Sequence, residues 1–176
     1  MYRNQRTVIE SAASLLCRKA NEDMNYWLMK TEPAVFGIAD LKARRDQTEH
    51  WDGVRNYEAR NLMRDRMRPG DQAFLYHSSC AEPGIAGIVS ISRAAYPDFT
   101  AWDPTSDHYD ARSTPERPLW YMVDVRFERE FPRVISLKEL KSEPRLQGMR
   151  VLRRGNRLSI TEVVPEEWHL ILGLLD

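Results

Sequence analysis

Residues 119–130 read "LWYMVDVRFERE". Tyr121, Val123, Val125 and Phe127 alternate with Met122, Asp124, Arg126 and Glu128. A period of two places one set on a packed face and the other toward water, which is a β-strand and not a helix. Working outward, "QAFLYHS" (72–78) and "GIAGIVSISRA" (84–94) are rich in β-branched and aromatic residues. Together they read as a strand–loop–strand unit. "NYWLMK" (25–30) is a further strand, broken by Pro33. Helical spacing appears at Ala59, Leu62, Met63 and Met67, and "RPGD" (68–71) stops that helix. Ser136 with Glu139 is a capping box for a short helix, and Pro165 opens a closing one. "MRVLRRGNRLSI" (149–160) predicts a hairpin turning at Gly155-Asn156. No regular strand–helix alternation points to a parallel α/β sheet. The expected class is α+β, mainly β: a small twisted or closed mixed sheet flanked by short helices.

With 176 residues, and Lys+Arg and Asp+Glu at 26 each, the chain suits one domain and has no overall positive field to hold long nucleic acid. A small site reading one nucleotide remains open. Cys17 and Cys80 match no zinc spacing and fit a reduced, cytoplasmic setting. No stretch approaches the roughly 18 apolar residues of a membrane span, so no membrane is expected. Residues 1–23 read as a dispensable N-terminal extension, a short amphipathic helix or disordered, with the domain over 24–176. A monomer is expected.

The chemical motifs are sparse. His50, His77, His108 and His169 have no metal-ligand spacing, so no metal or cofactor is expected. His77 beside Ser78 and Ser79 is no nucleophile–base pair, because strand neighbours face opposite ways. No Walker loop or G-x-G-x-x-G occurs. Arg145, Arg150, Arg153, Arg154 and Arg157 cluster without an acid; they read either as a solvated rim or as phosphate contacts. The most informative stretch is "HWDGVRNYEARN" (50–61). Trp51 sits in a turn-like sequence ahead of a helix that Asn56 can cap. Its indole is either core or a pocket wall, and a flat indole stacks on a base with about 1–3 kcal/mol.

Taken in order, "YWLMKTEP", "WDGVRNYEARN", "FLYHSSC", "PGIAGIVSISRAAYPD", "LWYMVDVRF" and "RLSI" resemble the EVE domain family, from about Tyr26 to the C-terminus. The resemblance implies a PUA-like fold, a small mixed β-barrel flanked by short helices and related to YTH and ASCH domains. It also implies a non-catalytic module that takes one modified base, of the 5-methylcytosine type, from DNA or RNA into an aromatic pocket. The implied binding residues are Lys30, Thr31, Glu32, Pro33, Trp51, Val54, Arg55, Asn56, Tyr76, His77, Ser78, Ser79, Ile85, Arg157 and Ser159. Arg150, Arg153 and Arg154 would meet the nucleic-acid backbone. Ser79 departs from the family's frequent asparagine, which would change the hydrogen bonds offered to a base. The leader is not a family feature. Two rival readings are an ASCH-like RNA or nucleoside hydrolase using Lys30, Glu32 or His77, and a protein holding a small metabolite.

Overall fold

Trp27 and Met29 point to one side of their strand and Tyr26 and Leu28 to the other, yet all four are buried. Such a strand must lie inside a sheet covered on both faces. The computed structural model describes residues 24–175, and the expectation for residues 1–23 lies outside them. Six strands form one mixed sheet: β1 (Tyr26–Thr31), β2 (Thr48–Trp51), β3 (Gln72–His77), β4 (Gly84–Pro97), β5 (Tyr121–Ser136) and β6 (Ile160–Val163). The order is β2-β5-β4-β3-β1-β6, with β1 and β3 parallel and the other pairs antiparallel. The two edge strands, β2 and β6, do not pair with each other, so the sheet is open rather than a hydrogen-bonded barrel.

One core holds Trp27, Met29, Trp51, Leu75, Val89, Val123 and Ile160 beneath the helices α1 (Ile38–Ala43) and α2 (Tyr57–Asp65). The other holds Leu28, Phe74, Tyr76, Ile85 and Ile135 beneath α3 (Leu137–Ser142) and α4 (Pro165–Leu172). Trp168 of α4 stacks on Phe74 at 3.9 Å and on Tyr26 at 4.5 Å between ring centroids. Asn56 Oδ1 caps α2, accepting from the Ala59 N–H at 3.1 Å; at α3 only the serine half of the expected capping box forms, with Ser136 Oγ accepting from the Glu139 N–H at 3.2 Å while the Glu139 carboxylate bonds Arg133 instead. Gly84 and Gly87 let β5 come close. A Cβ on either would stand 2.3 Å from a β5 carbonyl oxygen.

Two local expectations fail. Residues 149–160 form no hairpin; the segment is a 3-10 turn (Arg150–Leu152) followed by a loop, with only Ile160 joining a strand. Asn156 replaces the ladder, donating from Nδ2 to the Arg150 carbonyl at 3.0 Å and accepting from the Leu158 N–H at 3.1 Å. Side-chain bonds of this kind compete with strand pairing. Arg150 and Arg154 therefore do not share a strand face. Trp51 is not in a turn either: it ends β2, paired with Val123. Among the described residues no helix is long and apolar enough to cross a membrane.

Candidate functional site: two clefts on either side of Lys30

The last residues of β1 are held from both flanks. The Lys30 N–H donates to the Ser159 carbonyl at 2.7 Å, and the Ser78 N–H donates to the Thr31 carbonyl at 2.8 Å. Ser78 Oγ adds a second bond to that carbonyl at 3.1 Å. A cleft opens on each side, and Lys30 lines both.

The first cleft encloses about 470 Å³ and is walled by Trp51, Val54, Phe36, Ser159 and His108. That size lies within the roughly 300–1,000 Å³ usual for small-ligand sites. Trp51 is only 8% exposed and packs with the first core. It is therefore core and cleft wall at once. Charges of both signs ring the opening: Arg44 donates to Glu49 at 2.7 Å, the His50 ring lies 2.8 Å from Glu49, and Asp52 and Arg55 complete the rim. The half-buried Lys30 ammonium has its pKa lowered by desolvation.

The long 98–118 segment builds one wall. Asp98 is wholly buried, and Arg55 donates to it at 2.7 Å. Arg55 also donates to the His108 carbonyl, from Nε at 2.8 Å and from Nη2. Burial raises the Asp98 pKa, but bonds from Thr100, Arg55 and the Gly53 N–H outweigh it and hold the carboxyl below its ordinary range. Arg55 is thus bound into the protein. The His108 ring lies over Gly53 and leaves no room for a side chain, since a Cβ there would stand 2.5 Å from His108 Nε2; the φ of +72° separately favours glycine.

The second cleft, about 590 Å³, is lined by Tyr76, Ser78, Ser79, Lys141, Arg153 and Arg154, besides Lys30. Of the other residues singled out in the sequence, Glu32 accepts from Ser79 Oγ at 3.0 Å and, like Pro33, lines neither cleft. Asn56 Oδ1 is occupied as the α2 cap. His77 Nε2 accepts from the Ile38 N–H at 3.2 Å, at the start of α1, and burial lowers the His77 pKa. Thr31 lines the first cleft, and its Oγ donates to the Phe36 carbonyl at 2.7 Å. Ile85 is fully buried in the second core, and Arg157 is exposed outside both linings. Arg150 pairs with Glu58 at 2.5 Å. Sequence reasoning missed Phe36, Glu49, His50, Asp52 and His108 as cleft residues. For His108, the only available signal was the unusual length of its loop.

Comparison with known proteins follows the same outline. The EVE domain family model matches residues 25–174. Thymocyte nuclear protein 1 of Danio rerio is 48% identical over 165 residues, covering 84% of this chain and 71% of its own. The Homo sapiens protein of that name is 46% identical over 167 residues, covering 85% and 73%. A crystal structure of the human THYN1 protein in complex with 5-methylcytosine-containing DNA superposes with a TM-score of 0.82 at 45% identity. It covers 86% of this chain and 98% of that one.

Proposed function

The chain belongs to the EVE domain family, and we propose on that footing that it is a non-catalytic nucleic-acid-binding module taking a single modified base into the cleft beside Trp51. The relative crystallised with 5-methylcytosine-containing DNA makes a 5-methylated cytosine the class of base this reading favours. The observation that carries it is the position of Trp51, whose ring closes a cleft of about 470 Å³ that Lys30 and Asp52 also line. Cytosine offers a donor amine beside two acceptors. A carboxylate and an ammonium can answer both halves of that edge. In this reading Asp52 accepts from the exocyclic amine, Lys30 donates to the ring carbonyl, and Val54 and Phe36 meet the methyl group. Trp51 supplies the stacking face, and Ser159 holds Lys30 through its carbonyl.

Asn56 and His77 support the cleft by fixing α2 and α1 rather than by facing the base, while Thr31 lines it with its hydroxyl tied to the Phe36 carbonyl. Glu32 and Ser79 brace the loop after β1. Ile85 and Tyr76 carry the strands that end there. Arg157 is left for solvent or polymer. A monomer working in the cytoplasm without a cofactor belongs to the same reading.

The test is equilibrium binding of short DNA and RNA oligonucleotides with and without a 5-methyl or 5-hydroxymethyl mark. The marked oligonucleotide should bind more tightly, and Trp51→Ala should remove the difference. Because Trp51 also packs in the core, Asp52→Asn provides a second variant outside it. Equal affinity for marked and unmarked strands, unchanged in both variants, overturns the reading.

A further inference from the structure

The two clefts differ in charge. The first is ringed mostly by paired residues of both signs, whereas among the described residues the cations of the second have no paired acid. Lys30, Lys141, Arg153 and Arg154 line it, and among the described residues none of the four has an acid within ion-pair distance. Their neighbours do: Arg145 pairs with Glu143 at 2.9 Å and Arg150 with Glu58 at 2.5 Å. Glu167 is close enough to Arg153 to interact with it electrostatically, but its carboxylate accepts from the Val164 N–H instead. In a protein whose charges balance, four unpaired cations around one concavity mark a place prepared for an anion.

The local architecture keeps these cations in place. Asn156 bonds in both directions across the turn carrying Arg153 and Arg154, and Gly155, at φ +80°, lets that turn close. Arg153 has one weak bond of its own, to the Gly148 carbonyl at 3.3 Å. Buried Tyr76 lines the cleft, while Ser78 is tied to Thr31. Since Lys30 lines both clefts, an anion in the second lies one residue's width from a base in the first.

We propose that the second cleft binds a phosphodiester of the strand whose base occupies the first, with Lys141, Arg153 and Arg154 gripping the phosphate beside Lys30. This rests on the base-reading function and adds to it the path of the polymer. It also moves the backbone contact away from Arg150, which is already paired, and adds Lys141.

The experiment uses the full chain and single-stranded nonamers carrying one central 5-methylcytosine, an unmarked control, and marked nonamers in which one linkage flanking that base is an uncharged methylphosphonate. The variant Lys141→Gln/Arg153→Gln/Arg154→Gln should weaken marked and unmarked strands alike, on the order of tenfold at low salt. It should also flatten the slope of log affinity against log salt by about 0.7, the value for one phosphate of a single strand. Arg153→Lys/Arg154→Lys should keep most of both. In the wild-type protein one methylphosphonate position should reproduce the loss, and in the glutamine variant it should cost nothing more. An unchanged salt slope, or no methylphosphonate position coupled to the variant, overturns the proposal. A wild-type protein that fails to distinguish marked from unmarked strands overturns the base-reading function instead, and that ratio is measured separately.

Discussion

The guanidinium of Arg55 reaches the buried carboxylate of Asp98 at 2.7 Å, tying the residue ahead of α2 to the start of a segment 43 positions later in the chain. The pair fixes the wall of the first cleft, because the same guanidinium holds the His108 carbonyl. Removing it leaves Asp98 buried, with only Thr100 and the Gly53 N–H as donors. Arg55→Ala should cost roughly 2 kcal/mol, in the range of a charged hydrogen bond and below that of a fully buried pair, because Arg55 is itself partly solvated. Urea denaturation measures this. The same variant should weaken binding of a marked oligonucleotide by releasing His108. A variant as stable as the parent would show that Asp98 is satisfied without Arg55.

Gly53→Ala combines two penalties that can be separated. A φ of +72° is unfavourable for alanine, and the new methyl collides with the His108 ring. We expect a loss of about 1–2 kcal/mol in stability. In the double variant Gly53→Ala/His108→Ala the collision vanishes and the backbone cost stays. A double-mutant cycle read by thermal melting should therefore show a favourable coupling between the two substitutions. Strict additivity would mean that His108 does not rest on Gly53 in solution.

His77 links stability to pH. Its Nε2 accepts from the Ile38 N–H, which only the neutral ring can do, and desolvation lowers its pKa. The unfolded chain then binds a proton that the folded chain refuses. The contribution is fully present above the unfolded value of about 6.5 and is lost as pH falls through the lower folded value. Chemical denaturation between pH 5 and 7.5 should show stability rising with pH. His77→Phe should flatten that rise and cost about 1 kcal/mol at pH 7.5. A rise that persists in the variant would assign it to other groups.

Ser79 has φ +53°, in the left-handed region where asparagine is enriched among residues with side chains. An asparagine at this position, as the family resemblance leads one to expect, would suit this backbone conformation independently of any role in reading a base. Ser79→Asn should raise stability by roughly 0.5 kcal/mol, seen as a higher urea midpoint at unchanged slope. If stability is unchanged while discrimination between marked and unmarked strands increases, the amide acts on the base instead.

The strands were legible because a central strand buried on both faces must be apolar throughout, as in "NYWLMK", and a half-exposed one must alternate, as from Tyr121 to Glu128. Caps at Asn56 and Ser136 were legible because they are local bonds. β2 escaped notice: "TEHW" is short and polar, and it becomes a strand only by pairing with β5, a tertiary effect. The same limit governs the cleft. Trp51, Val54 and Lys30 could be named from motifs, but His108 reaches the site through the Arg55–Asp98 tie, which no spacing announces. Arg150 and Arg154 looked equivalent in sequence. Only the fold shows that Glu58 neutralises the first and that, among the described residues, the second has no acid paired with it.

β1 and β3 run abreast in the same direction, so Lys30 meets Tyr76 and Thr31 meets His77 where both strands finish. Their lateral separation is about 4.8 Å and is set by main-chain pairing, not by side chains. The two openings at that edge therefore cannot drift apart without unzipping the middle of the sheet. Substitution can change what either one grips, but the offset between them is a yardstick that only the backbone could redraw.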